Sequence, residues 1–269
     1  MSMSMSMITI NMMGGLGNQL FQIACILSYS LKYKKPFYFE DKIPTRDDRP
    51  FYWDNLLSSL KIFLKPSISL PIYKEPQFHY TPIPYIEESF KLLGYFQSYK
   101  YFKEHEQSIF RLLKLRETQQ KYSPTNKVSL HFRIGDYKDK QEHHPLLTID
   151  YYKKALKQLI HDTQKDNWNI LYFFEEKDTS YVNGYIDQLK KNYPNLTFES
   201  VDHNLKDWEQ LIQMSLCKHN IIANSSFSWW GAYLNPFEQK VYYPKQWFGK
   251  AQGDKSMKDL FPPHWNLIH

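Results

Sequence analysis

From Val128 onward the chain alternates short apolar runs with longer amphipathic ones, and that alternation admits few folds. The spacing predicts strands at 128–132, 169–174, 196–199 and 219–223. It predicts helices at about 149–162, 179–192 and 207–216, and a last one through Trp229. Strands separated by helices long enough to cross back over a sheet give a mostly parallel α/β layer. The opening of the chain repeats the unit: Ile8–Met13 reads as a strand, Gly14–Gln19 as a turn, Leu20–Tyr33 as a helix and Pro36–Phe39 as a second strand. Residues 41–84 are aromatic and proline-rich and read as short helices and loops. Gly94–Gln97 reads as a last strand or loop of the first half, followed by a helix near 101–114. The polar stretch 117–127 is the linker candidate, which gives α/β domains at 1–122 and 123–269, with the extreme C-terminus packing back on the first. At 269 residues each half is long enough to bury a core.

Two strand ends carry the chemistry. Asn220-Ile221-Ile222-Ala223 runs as a buried strand into Asn224-Ser225-Ser226-Phe227-Ser228-Trp229-Trp230. Hydroxyls and free backbone N–H groups at a helix start are suited to an anion, although Ser and Asn are also ordinary helix caps. The second end is His131-Phe132-Arg133-Ile134-Gly135-Asp136. Of 34 basic residues only five are arginine: Arg46, Arg49, Arg111, Arg116 and Arg133. Where lysine is the default cation, an arginine at a strand end points to a need for its forked donor, which grips phosphate or carboxylate with two hydrogen bonds. A turn salt bridge between Arg133 and Asp136 is the alternative.

Other chemistries fall away. Gly15-Leu16-Gly17-Asn18-Gln19-Leu20 follows a strand, and Glu40 and Asp41 stand at ribose-binding distance, but Leu20 replaces the third glycine of the dinucleotide fingerprint. Glu142-His143-His144 has no partner at metal-ligand spacing, and no Asp-x-Asp occurs. A departing diphosphate would therefore be neutralised by Arg133 and backbone amides. With 42% hydrophobic and 17% aromatic residues the chain is not disordered. The +6 charge is spread over pairs such as Lys34–Lys35 and Lys190–Lys191, so no nucleic-acid partner is expected. Cys25 and Cys217 read as buried free thiols in a reducing compartment. No run of 18 apolar residues suggests a membrane span, and Met1–Met7 lacks the charge and apolar core of a signal peptide, so it reads as a frayed leader. Both point to a cytoplasmic protein.

Three motifs in order, Gly14-Gly15-Leu16-Gly17-Asn18-Gln19-Leu20-Phe21-Gln22, His131 to Tyr137, and Met214-Ser215-Leu216-Cys217 through Asn235, make the sequence resemble the α-1,2-fucosyltransferases of glycosyltransferase family 11. The resemblance implies a GT-B fold of two Rossmann-like domains facing a cleft. It implies an inverting transfer of L-fucose from GDP-β-L-fucose to a glycan hydroxyl, α-1,2 to galactose or a similar sugar, with no metal or other cofactor. The moderately positive surface suits such an anionic donor. Arg133 then matches the arginine on the donor β-phosphate, and His131 lies beside the nucleotide. Ser225, Ser226 and Phe227, following Asn224, match the loop meeting diphosphate and fucose, and Asn18 matches an amide facing the donor. An acidic residue often stands five before Ser215; here Gln210 occupies that place and the adjacent Glu209 is the carboxylate assigned to the donor. Many members carry a second arginine where Ile134 stands. Arg133 is assigned to the leaving charge, while Asp136, Glu142 and His144 are the candidates for the base. Another GDP-deoxyhexose donor, or a non-catalytic carbohydrate-binding protein using Trp229 and Trp230, are the alternatives.

Overall fold

The computed structural model describes residues 6–41 and 49–269. Arg46, residues 1–5 of the leader and 42–48 of the proline-rich segment lie outside them. The chain divides into two compact units, Met1–Gln120 with Lys255–Pro262, and Lys121–Asp254 with Pro263–His269.

The first unit begins with β1 (Ile8–Ile10) and α1 (Leu16–Tyr33), followed by the short β2 (Phe39–Glu40) and β3 (Leu64–Lys65), β4 (Ile72–Lys74) and β5 (Phe90–Leu93). It ends with α2 (Glu106–Leu112) and α3 (Leu115–Gln119). β1, β5 and β4 form a parallel sheet in that order, and β2 pairs with β3 separately. The helix starts at Leu16, four residues earlier than the apolar spacing suggests: a single glycine, Gly17, in its first turn does not break it, and only Gly14–Gly15 is needed to turn. The expected strand at Pro36–Phe39 is reduced to a single Ile8–Phe37 bridge before β2. Gly94–Gln97 lies just after β5 as a loop, and the helix expected at 101–114 is two 3₁₀ turns and α2, ended by Lys114 in the left-handed region at φ 52°.

The second unit runs β6 (Thr125–His131), α4 (Ile149–Thr163), β7 (Asn169–Phe173), α5 (Thr179–Asn192), β8 (Thr197–Ser200), α6 (Asp207–Ser215), β9 (Cys217–Ile221) and α7 (Ser226–Tyr233). β10 (Val241–Pro244) and β11 (Asn266–Ile268), which the sequence reading did not anticipate, complete a parallel six-stranded sheet in the order β11-β10-β9-β6-β7-β8. β7 is buried over four of its five residues, as a strand covered on both faces must be. On one face Val128, Leu130, Ile170 and Tyr172 pack with Tyr152, Leu156 and Leu159 of α4 and Ile186 and Leu189 of α5. Those α4 positions recur at helical spacing, which is why this helix lies flat on the sheet. On the other face Leu171 and Phe173 meet Met214 of α6. Both cysteines are free and buried.

Candidate active site

Chain direction decides where this sheet can hold a ligand. From β6 the chain proceeds outward through β7 and β8, then returns to the opposite side of β6 at β9. Adjacent parallel strands whose connections leave in opposite directions open a crevice at their carboxyl ends. His131 ends β6, Arg133 follows two residues later, and Asn224-Ser225 join β9 to α7.

Alternation along β6 fixes which groups face which way. Val128, Leu130, Phe132 and Ile134 all belong to the core shared with α4 and α5, so His131 and Arg133 take the opposite side. Ile134 is only 2% exposed, so the position where the family resemblance raised the expectation of a second arginine is a packing position here. Phe132 extends the strand by donating its N–H to the Phe173 carbonyl at 2.8 Å.

Arg133 is held from several directions. Its Nη1 donates to Glu175, its Nη2 to Asp136, and its guanidinium lies 4.7 Å from the Tyr137 ring centroid. Burial works against its charge, but Tyr137, Asp136 and Glu175 outweigh that and push its pKa up. Asp136, Tyr137 and Lys138 lie in a 3₁₀ turn over Gly135–Asp139. Gly135 has φ 38°, which strains any other residue, and a Cβ there would stand 2.7 Å from Arg133 Nη1 and 2.8 Å from Glu175 Oε1, so a side chain would displace both groups. Its N–H donates to Asp178 Oδ2 at 2.7 Å, while Lys138 Nζ donates to Asp178 Oδ1 at 2.7 Å. The turn expected to tie Arg133 to Asp136 therefore exists and is itself pinned by a buried carboxylate.

His131 is buried, and that burial together with the neighbouring Arg133 pushes its pKa down to about 3, leaving a neutral ring. Its Nδ1 has no hydrogen-bond partner, and its ring lies 5.6 Å from that of Phe227. Asn224 donates through Nδ2 to the carbonyls of Pro145 at 2.9 Å and Trp247 at 3.3 Å, while its Oδ1 is buried and unpartnered. Buried polar atoms without partners are uncommon and mark a place where a bound molecule can complete the bonding. Tyr137 links the two loops by donating to the Asn224 carbonyl at 3.1 Å. Ser225 caps α7, accepting the Phe227 N–H at 3.3 Å, and Ser226 begins the helix. His144 stacks on Tyr137 with centroids 4.8 Å apart.

The structure thus brings His131, Arg133, Asp136, His144, Asn224, Ser225, Ser226 and Phe227 together within one unit. Glu209 has a different setting: as the third residue of α6 it accepts the Lys206 N–H at 2.9 Å and the Tyr122 hydroxyl at 3.1 Å. Glu142 offers its backbone carbonyl to the Ala251 N–H at 2.8 Å. Trp229 and Trp230 are 0% and 2% exposed, the first stacked on Tyr233 at 4.6 Å, so neither is a platform for sugar. Glu175 and Asp178 were not singled out in the sequence, and Tyr137 stood there only as the end of the second motif without a role, although Glu175 stands two residues past β7, on the same carboxyl edge. Among the described residues no three His, Cys, Asp or Glu side chains are placed to hold a metal ion. No helix among them is long and apolar enough to cross a membrane.

In the first unit, Asn18 Oδ1 accepts from Gln97 Nε2 at 2.6 Å, and its amide folds over Gly14, whose φ is 76°. Gln19 Nε2 donates to the carbonyls of Gly14 and Pro50 at 3.0 and 2.9 Å. Gln22 accepts the Met13 N–H at 3.1 Å and donates to the Gly94 carbonyl at 3.0 Å. Glu40, weighed above as a ribose ligand, instead pairs with Lys91 at 2.5 Å and accepts the Ser67 hydroxyl at 2.9 Å.

Comparison with known proteins adds an independent finding. Residues 2–269 match the family model described as Glycosyl transferase family 11. The O-antigen biosynthesis glycosyltransferase WbnK of Escherichia coli is 29% identical over 91% of this chain and 96% of its own. An alpha-1,2-colitosyltransferase of the same organism is 26% identical over 98% and 99%. Among solved structures, the fucosyltransferase NodZ from Bradyrhizobium covers 87% of this chain and 95% of its own, with a TM-score of 0.51 at 13% identity. That likeness shows the fold, α/β with parallel sheets of the GT-B type.

Proposed function

This chain belongs to glycosyl transferase family 11, and from that premise we propose that it transfers a deoxyhexose, L-fucose first, from its GDP-sugar to a hydroxyl of a glycan acceptor. The observation that carries the reading is Arg133 fixed at the β6–β9 crevice, in the same unit as the Asn224–Ser226 start of α7. A helix N-terminus and a forked cation suit a diphosphate.

In this mechanism the acceptor oxygen attacks the anomeric carbon from the face opposite the diphosphate, so the bond to GDP breaks with inversion and an α-1,2 link forms. Negative charge grows on the β-phosphate as the sugar becomes cation-like. Arg133 and the N–H groups near Ser225 and Ser226 stabilise that charge, a contribution worth on the order of 2–4 kcal/mol for a single such donor. Neutral His131 and Asn224 offer hydrogen bonds to the nucleotide sugar without adding charge. The acceptor's proton goes to Asp136 or His144, and Glu142 ranks behind them. Loss of a rising limb in the kcat/KM–pH profile in His144→Ala, but not in Asp136→Ala, assigns it to the histidine.

A second donor, GDP-colitose, is favoured by the similarity to the colitosyltransferase. The experiment is to incubate the protein with GDP-fucose, GDP-colitose, GDP-mannose and UDP-sugars, with oligosaccharide acceptors, in EDTA and in Mg²⁺. Acceptor-dependent release of GDP from a GDP-deoxyhexose, undiminished by EDTA, is expected. Release from UDP-sugars alone, or strict dependence on the ion, overturns the reading.

A further inference from the structure

Arg133 does not present an open guanidinium. Glu175 sits on Nη1 and Asp136 on Nη2, and each carboxylate holds a second cation: Glu175 pairs with Lys177 at 2.6 Å and Asp136 with Lys140 at 3.5 Å. Asp178 has Lys138. Four cations thus face three carboxylates, leaving one positive charge for an incoming anion.

The carboxylates differ in what ties them down. Asp136 shares the 3₁₀ turn that follows Arg133, and Asp178 is buried and holds the Gly135 N–H. Glu175 lies past the end of β7 with 40% of its side chain exposed, and its partner Lys177 is 65% exposed. Both can change rotamer without unpacking the core. Arg133 does not depend on Glu175 for its placement, because Asp136, the Tyr137 ring and the Asp178-pinned turn already hold it.

We propose that Glu175 is a resident competitor for the donor's diphosphate: it occupies Nη1 of Arg133 when the site is empty, hands over to a phosphate oxygen on binding, and remains paired with Lys177 meanwhile. This rests on the GDP-sugar reading above. Two anions on one guanidinium repel each other, so the exchange weakens binding of both donor and product. The returning carboxylate helps expel GDP after transfer, when the nucleotide has no further use.

Glu175→Gln keeps the shape and removes the charge. By titration calorimetry it should bind GDP, and inorganic diphosphate as a minimal probe, about tenfold more tightly than the parent, with thermal unfolding unchanged. The donor KM should fall, while kcat should not rise because GDP leaves more slowly. Unchanged or weaker GDP binding in this variant overturns the proposal and makes Glu175 an orienting group. Lys177→Met completes a double-mutant cycle. It should weaken GDP binding more in the parent, where Glu175 loses its alternative partner, than in the Glu175→Gln background; equal effects overturn the hand-over. If the parent binds neither GDP nor diphosphate, the GDP-sugar reading falls and this proposal with it. If the parent binds both and Glu175→Gln does not tighten them, this proposal falls alone.

Discussion

At the carboxyl edge of the first sheet, Asn18, Gln19, Gln22 and Gln97 tie the loops together with neutral amides. At the same edge of the second sheet, Arg133, Asp136, Glu175, Asp178 and Lys138 do so with ions. Each edge contains a glycine with positive φ, Gly14 in one and Gly135 in the other. The shared topology therefore does not dictate the chemistry. Amides match the hydroxyls of an uncharged sugar, whereas an ionic cluster can exchange one of its own carboxylates for a phosphate. A diphosphate at Arg133, as proposed above, draws on the ionic edge, which can meet an anion where the amide edge cannot offer a charge.

The comparison breaks most readily at Arg133. Arg133→Lys should lower kcat by about 100-fold while thermal unfolding moves little, because a point charge cannot reproduce two directed N–H donors. A variant within threefold of the parent would show that the ionic edge is only structural. Next comes Gly135→Ala, whose Cβ meets Arg133 and Glu175. GDP affinity, read by calorimetry, should fall by about tenfold or more, since the turn must reorganise at a cost of roughly 1–3 kcal/mol. Gly14→Ala should destabilise the first unit and leave GDP affinity unchanged; a matching loss of GDP affinity would erase the distinction between the edges.

The two units also titrate in opposite senses. His131 is held at about 3 by burial and then by Arg133, below its ordinary 6.5. Between those values the unfolded chain carries the extra proton, so the second unit is fully stabilised above pH 6.5 and loses up to about 1.4 kcal/mol per pH unit as pH falls towards 3. In the first unit burial pushes Glu75 up to about 7 from 4.5, against the pull of the Phe96 and Tyr95 N–H groups and Lys255. There the folded state holds the extra proton, so its contribution is complete below pH 4.5 and is lost at a similar slope as pH rises towards 7. Amide hydrogen exchange at pH 5 and 7 should show protection rising with pH in β6 and falling in β4–β5, and Glu75→Gln should abolish the second trend. Both units moving together would refute the separation. The smallest effect sharpens it: Gln97→Leu removes the bond to Asn18 and should cost about 1 kcal/mol in thermal unfolding, with GDP binding unaffected.

Much of the second unit was legible because its elements obey a single rule each. α5 lies at 179–192 as its spacing indicates, and β6 to β9 sit within a few residues of their expected places. β10 and β11 were not legible, since Val241–Pro244 and Asn266–Ile268 are too short to show a period and become strands only by pairing. In the first unit the same limit applied to β2, β3 and β4, whose register is set by neighbours far along the chain. Arg133 stood out by its rarity and its strand-end position. Glu175 and Asp178 did not, because two acidic residues before a helix look like ordinary helix-start chemistry until the sheet order places them beside Arg133. The tryptophans posed the complementary problem: adjacent aromatics advertise a ligand platform, while their helical setting marks at least one as core, and α7 is buried around both.

The pairing of β6 with β9 has a consequence for the order of folding. Ser129 and Asn220, joined side chain to side chain, are 91 residues apart, and β7 and β8 must be formed or bypassed before they meet. Long-range parallel pairing is slow because the loop must close before any contact rewards it. The two sides of the β6–β9 crevice come from those two strands, so an intermediate with β6, β7 and β8 formed but β9 undocked holds Arg133 without the start of α7. Nucleotide would stabilise only chains that had completed this closure, by mass action on the native state. GDP added during refolding should therefore slow unfolding far more than it speeds folding.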